Sequence, residues 1–311
     1  MSADEVARLQ NGNDPECKLA QKVFEQGHYA GRTRPTNTRQ GTYATAPSGV
    51  MLASINSNDP KAMADMLRRA LAKWNSLSQT ERMLGADPGK QKGDVRRGEA
   101  QFPTDGLVLR VFSRDLPRTR SGQDWRNDAW NQDYAWFTRS ETKSMLPAQI
   151  QAKQTIQIPE ALVKRLAKFN FVDNVRGQTM AYTDQDVTLA SLTTEVVKVS
   201  GGVATIRLYG ETKAENQGSW SVAGYRDMDS PESRKRGMNL KLYGRAQFNI
   251  ADSKFTQFEA VALGDRFGGT QYNGRHDDLE SAPIGYALVL AGAKASERVA
   301  PSFFYAYRWP R

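Results

Sequence analysis

The chain has 311 residues, of which 39% are apolar and 25% are charged. This composition is typical of a folded globular protein about two average domains long. No run approaches the roughly 18 apolar residues of a membrane span, and the opening MSADEVARLQ lacks the basic and apolar regions of a signal peptide. The sequence therefore predicts no membrane span. It leaves the compartment open, because a leader can be removed.

Cysteine and histidine counts exclude several kinds of site. Cys17 is the only cysteine, so an intrachain disulfide, a thiolate zinc cluster and a Cys-x-x-Cys pair are all excluded. His28 and His276 are the only histidines, which excludes a multi-histidine metal site. The sequence also lacks a phosphate-binding glycine loop, a nucleophile elbow and a dinucleotide fingerprint. We therefore expect neither a metal nor a cofactor.

The net charge of +9 and the isoelectric point near 9.6 could indicate polyanion binding. The basic residues, however, are spread along the chain among 34 acidic ones, and no nucleic-acid motif accompanies them. A solvated basic surface is the favoured interpretation, and nucleic acid is an unlikely partner. Polyanion binding remains an alternative that rests on charge alone.

The first part of the chain predicts a helix, a hairpin and a second helix. Residues 14–26 form the first helix, with Asp14 as the cap, and residues 43–55 form a hairpin that turns at Pro47-Ser48-Gly49. Asp59 caps the second helix and Pro60 begins it. Its apolar stripe consists of Met63, Met66, Leu67, Ala70, Leu71 and Trp74. We expect Met63, Leu67, Leu71 and Trp74 to be buried against the hairpin.

A glycine- and proline-rich segment, residues 85–104, predicts a boundary between two domains, residues 1–98 and 99–311. After it, one helix is predicted over 159–167, and period-two alternation predicts strands over most of the remainder. The predicted strands cover 106–112, 197–199, 203–209, 240–250, 255–263 and 284–290. The expected fold class is α+β, with a larger antiparallel β-rich domain that forms a curved sheet or a partly closed barrel.

Five aromatic residues are concentrated in the segment QDWRNDAWNQDYAWF. They are Trp125, Trp130, Tyr134, Trp136 and Phe137. Two interpretations are open: the aromatics pack inside the second domain, or they form a stacking surface for a ligand. Packing is the favoured one.

Residues 41–74, GTYATAPSGVMLASINSNDPKAMADMLRRALAKW, resemble the closing β-β-α half of a thioredoxin-like domain. Gly41-Thr42 stands where that family usually has Pro-Thr, and no Cys-x-x-Cys precedes it. The resemblance thus implies a remnant of the fold without dithiol chemistry. Residues 100–311, with FPTDGLVLRVFSRDLPR, FNFVDNVRGQT and ALGDRFGGTQY, are similar to bacterial proteins of unknown function in which a β-rich region follows a thioredoxin-like one.

Two polar loops supply the candidate site residues. One contains His276 and Asp277 in Gly274-Arg275-His276-Asp277-Asp278, and the other contains Asp173 and Arg176, for which an ion pair across the turn is the simplest account. Asp115 is expected to form a salt-bridge cluster with its flanking arginines. A pocket that joins His276 to Asp173 or Asp184 would favour an enzyme.

The leading functional prediction is a two-domain binding or structural module without dithiol redox activity. Its ligand site is expected near residues 268–278, for a polar small molecule or a protein partner. The first alternative is a hydrolase that uses His276, Asp277, Asp173 and Arg176. The second is the polyanion binder.

Overall fold

A computed structural model describes residues 6–13, 15–30, 39–57, 59–83, 102–103, 105–116, 126, 128–222, 231–294 and 297–303. The chain divides into two compact units, Met1–Asp94 and Val95–Arg311. The predicted helix cap Asp14, the aromatic Trp125 and nearly all of the glycine- and proline-rich segment lie outside the described residues.

The first unit contains four helices and one hairpin among its described residues. They are α1 (Val6–Asn11), α2 (Pro15–Gln26), β1 (Thr42–Thr45), β2 (Met51–Ile55), α3 (Pro60–Ser76) and α4 (Gln79–Arg82). The predicted cap of α3 is confirmed, because a carboxylate oxygen of Asp59 accepts a hydrogen bond from the Ala62 amide at 2.6 Å. The hairpin turns at Gly49, whose φ of +84° favours glycine.

The predicted burial of α3 is wrong at Leu67 and Leu71, and Met63 and Trp74 are only half-buried. Met66 and Ala70 are buried, whereas Leu67 and Leu71 are 54% and 60% exposed. Helix α3 packs against a hairpin of only two strands, so a narrow strip of its surface is covered. Leu67 and Leu71 each follow a buried residue and point about 100° away from it around the helix. Their apolar spacing is therefore not evidence that the hairpin covers them.

The second unit contains a large antiparallel sheet. Its elements are β3 (Leu107–Asp115), β4 (Trp130–Phe137), α5 (Arg139–Ser144), β5 (Thr155–Gln157), α6 (Glu160–Phe169), β6 (Val187–Ser200), β7 (Val203–Trp220), β8 (Glu232–Asn249), β9 (Lys254–Phe267) and β10 (Ala282–Leu290). The eight strands lie in the order β4-β3-β10-β9-β8-β7-β6-β5. The antiparallel β-rich prediction is confirmed. Within the described residues the sheet does not close into a barrel, since β4 and β5 are its edges.

Alternating side chains give strands β7, β8 and β9 of this sheet one buried face, as predicted. In β8, Leu240, Leu242, Ala246 and Phe248 are buried while Lys241, Tyr243, Arg245 and Gln247 are exposed. Helix α6 lies over the buried face with Leu162, Val163 and Leu166 in the core. One cavity in this core has a volume of only about 30 Å³.

The topology brings two loops and the end of a strand to one region. Residues 268–281 connect β9 to β10, and residues 170–186 connect α6 to β6. Asp115 at the end of β3 pairs in register with Ile284 near the start of β10. The loop before β10 therefore ends close to Asp115, the last residue of β3.

Candidate functional site

The two predicted polar loops contact each other directly. Arg275 donates from Nε and Nη2 to the carboxylate of Asp173 at 2.7 and 2.6 Å. The Thr270 hydroxyl lies 2.9 Å from the Thr179 hydroxyl. Gly177 permits the close approach, since a Cβ atom there would lie 2.0 Å from the carbonyl oxygen of Tyr272. The loops thus form one rigid unit.

A buried ionic cluster holds these loops to the end of the sheet. It consists of Asp115, Asp173, Asp278, Arg176, Arg266 and Arg275. Arg275 binds both carboxylate oxygens of Asp115 at 2.8 Å and lies 3.2 Å from Asp278. Arg176 contacts Asp115 at 2.6 Å and Asp278 at 2.9 Å. The six formal charges cancel, which offsets much of the cost of removing each group from water.

The pKa shifts in this cluster follow from burial and from the paired charges. Burial alone would raise the pKa of Asp115, but hydrogen bonds and charge from Arg275 and Arg176 hold this pKa below its usual value. Burial alone would lower the pKa of Arg275, but Asp173 and Asp115 raise it above its ordinary value. Asp115 and Arg275 are therefore both ionised at neutral pH.

The structure separates the four predicted site residues into two groups. Asp173 and Arg176 both belong to the ionic cluster, but the expected ion pair between them is wrong, because each pairs with residues from other segments. His276 and Asp277 are exposed, and Asp277 binds Arg126 at 2.5 Å. Asp173 pairs with Arg275, and Asp184 with Lys168. The described contacts include none between His276 and either carboxylate, and such a contact is the arrangement that would have favoured an enzyme.

Asp115 lies in a salt-bridge cluster, as predicted, but with different partners. Its partners Arg176 and Arg275 are distant in sequence. Of the flanking arginines, Arg114 donates to the backbone carbonyl of Asp115, and Arg118 lies outside the described residues. Arg266 was missed, although a signal was available. Arg266 is an even number of residues away from the buried Phe258 and Ala262 in β9. Its charged side chain therefore lies on the same, apolar face of the sheet.

A cleft of about 990 Å³ lies beside the two loops. Its wall contains aromatic and other apolar side chains together with neutral amides and hydroxyls. The main lining residues are Trp130, Trp220, Tyr272, Met180, Asn131, Asn174, Gln178, Gln271, Thr179 and Thr270. Asn174 also accepts a hydrogen bond from the Thr179 amide at 2.8 Å, which fixes the loop at this wall.

The predicted aromatic segment divides between the core and this cleft. Tyr134, Trp136 and Phe137 are buried, so packing is the correct interpretation for them. Trp130, at the beginning of β4, is 61% exposed and lines the cleft. Tyr272 from the loop between β9 and β10 is 46% exposed and lines it as well. Large exposed aromatics in a concave site are typical of ligand contact.

The side chains that line the cleft are almost all uncharged. The described residues that line it include no histidine, carboxylate, lysine, arginine or cysteine, and Tyr272 is the sole ionisable side chain among them. General acid–base catalysis requires a group that titrates within hydrogen-bond reach of the substrate. The described part of the chain also contains no cluster of three or more metal-binding side chains.

Comparison with protein-family models, with curated proteins and with solved structures finds no match to this chain. Its local geometry must therefore carry the functional argument. Over the described residues, no helix is both long and apolar enough to span a membrane.

Proposed function

We propose that this protein is a binding module whose cleft in the second unit binds a saccharide. The observation that carries the proposal is the combination of exposed aromatic rings with neutral amides in one concave surface. A sugar ring has apolar C–H faces, which stack on aromatic rings, and a rim of hydroxyl groups. Amide side chains both donate and accept hydrogen bonds, so they match hydroxyls of either orientation.

The ionic cluster supports this function by holding the loops in place. Asn174, Gln178 and Thr179 belong to the loop that contains Asp173, and Gln271 and Tyr272 belong to the loop that contains Arg275. Binding groups that are fixed before the ligand arrives lose little side-chain entropy on binding. Asp173 and Arg176, two of the four residues that suggested a hydrolase, thus have a positioning role in this proposal, and the cleft wall is neutral.

The proposal predicts that truncation of one cleft aromatic weakens saccharide binding. Neutral oligosaccharides of cellulose, chitin, xylan and starch would be titrated while tryptophan fluorescence and heat are measured. For a saccharide that binds wild type, Trp130→Ala is expected to weaken the affinity about tenfold or more. The substitution removes the aromatic surface that the bound sugar would cover. Gln178→Ala tests the amide contribution in the same way.

Tyr243→Ala is the matched control, because Tyr243 is also an exposed aromatic but lies on the outer face of the sheet. Its affinity should equal that of wild type. If neither a neutral nor an acidic saccharide binds wild type, or if Trp130→Ala and Tyr243→Ala bind equally well, the cleft is not a saccharide site.

For the first unit, we infer a thioredoxin-like remnant without dithiol chemistry. The support is the hairpin β1-β2 followed by α3, in the order that the resemblance implies, together with the single cysteine. A dithiol oxidoreductase needs a second thiol to release its substrate from the mixed disulfide.

A further inference from the structure

Arg236 differs from the other deeply buried arginines near the cleft. It lies in β8 and is 4% exposed, yet it forms no ion pair with any described carboxylate. Arg176, Arg266 and Arg275 each contact at least one aspartate. A buried charge without a counter-ion costs free energy, which makes its retention informative.

Aromatic rings and one carbonyl surround the Arg236 guanidinium. Its centre lies 4.3 Å from the centroid of the Tyr182 ring and 5.8 Å from that of the Trp220 ring. Nη2 donates to the carbonyl oxygen of Ala181 at 3.2 Å, and Nε has no hydrogen-bond partner. Burial lowers the pKa of Arg236, and charge interactions with Tyr182, Asp186 and Asp173 offset part of this. Burial also raises the pKa of Tyr182 to about 12, so this phenol is neutral at pH 7.

The position of Arg236 connects it to the cleft. Ala181 and Trp220, which contact its guanidinium, both line the cleft wall. We infer that the cleft binds an acidic saccharide and that Arg236 pairs with its carboxylate or sulfate group. This inference rests on the proposed function and assigns the charge of its ligand. An anion would supply the missing counter-charge and accept charge-assisted hydrogen bonds from the fork of the guanidinium.

Trp220 both lines the cleft and lies near the Arg236 guanidinium. It is half-buried at the end of β7, and its indole lies over Gly218, where a Cβ atom would come within 2.4 Å of the ring. An anion that reaches Arg236 from the cleft would displace the Trp220 side chain, which contacts both. Binding of the anionic group is therefore expected to change the fluorescence of Trp220, and Trp220→Phe would remove that signal.

The test compares acidic saccharides with an uncharged form of the same chain. The probes are oligogalacturonate, its fully methyl-esterified form, and sulfated carrageenan oligosaccharides, all at one ionic strength. Wild type is expected to bind an acidic probe at least about tenfold more tightly than the ester, as for a hydrogen bond to a charged group. The carboxylated and sulfated probes show which anion is preferred. Arg236→Gln should abolish the preference and leave affinity for the ester unchanged.

Two further variants keep the result interpretable. Lys235→Gln removes the adjacent positive charge from the outer face of β8, where Lys235 pairs with Glu215, and should keep the preference. Arg236→Lys retains the charge and should keep part of the preference, which tests Arg236 even if Arg236→Gln fails to fold. Equal affinity of wild type for acidic and esterified probes would overturn the inference while the saccharide site stands. Binding of neither probe class, neutral panel included, would overturn both.

Discussion

At the scale of single residues, Arg275 is the centre of the ionic cluster. It contacts Asp115 from the sheet, Asp173 from the loop after α6, and Asp278 from its own loop. Buried ion pairs often add little net stability, because desolvation opposes the attraction between the charges. Removing one partner is different, since it leaves the other charge buried and unpaired. The main role of Arg275 is therefore to hold the loops beside the cleft in position.

We predict that Arg275→Met destabilises the protein by about 3–5 kcal/mol, because two buried aspartates lose their main partner. Denaturant unfolding at pH 7, followed by tryptophan fluorescence, measures the change. Arg207→Met is the control, because Arg207 pairs with Glu195 on the exposed face of the sheet at 2.7 Å. That surface pair is expected to contribute less than about 1 kcal/mol.

The pH dependence of the destabilisation by Arg275→Met tests whether the loss of charge pairing causes it. The pKa of Asp115 is lowered in the folded protein, so its contribution is present above the unfolded pKa and is lost as pH falls through the folded pKa. The gap between wild type and Arg275→Met should therefore shrink as the pH is lowered below about 4. A gap that is the same at acid and neutral pH would mean that lost packing, and not charge, causes the destabilisation.

At the scale of elements, α3 shows how a correct helix can be given a wrong buried face. Its cap, its first turn and its length follow from Asp59, Pro60 and the apolar spacing. The apolar spacing includes two adjacent rows, and only the row that contains Met66 and Ala70 is buried. Sequence periodicity gives the direction of the apolar face to within about one residue, or 100° of rotation. The width of the covering hairpin determines which row is buried.

Met66→Ala is predicted to destabilise the first unit by about 2–5 kcal/mol, because Met66 is 0% exposed and its removal leaves a cavity. Leu67→Ala, one residue further on, should change the free energy of unfolding by less than about 0.5 kcal/mol. Thermal and urea unfolding of both variants test the pair. If Leu67→Ala proves the more damaging substitution, the buried row of α3 has been assigned wrongly.

At the scale of the whole molecule, the two units contain different functional groups. The first unit contains Cys17, which is buried in α2. The second unit contains the ionic cluster, the cleft and Arg236. Our proposals place ligand binding in the second unit and assign no redox step to the first.

The protein is therefore predicted to show no thiol–disulfide oxidoreductase turnover. A single cysteine cannot form the intramolecular disulfide that completes the cycle, and a buried thiol is poorly placed to attack a protein disulfide. Insulin reduction by a small dithiol should proceed at the uncatalysed rate in the presence of the protein. Catalysed turnover that disappears in Cys17→Ser would contradict the thioredoxin-like remnant as proposed.

The sequence by itself determined the features that depend on neighbouring residues. The cap at Asp59, the presence of α6 and the alternation in β8 follow from local hydrogen bonding and from the periods of helices and strands. The strand β4 was missed for a related reason. Its final residues, from Asp133 to Phe137, are buried on both faces, so no alternation of apolar and polar residues marks it.

Only the tertiary structure decided which charged residues meet and which aromatics face the cleft. Asp173 pairs with Arg275 across about a hundred positions of the chain, and Trp130 lies near Tyr272 in one wall although separate elements supply them. Ion pairs and clefts depend on the register of eight strands and on the path of the loops between them. No local pattern encodes those distances, because adjacent residues such as Arg275 and His276 are equally polar in sequence, yet one is buried and the other exposed.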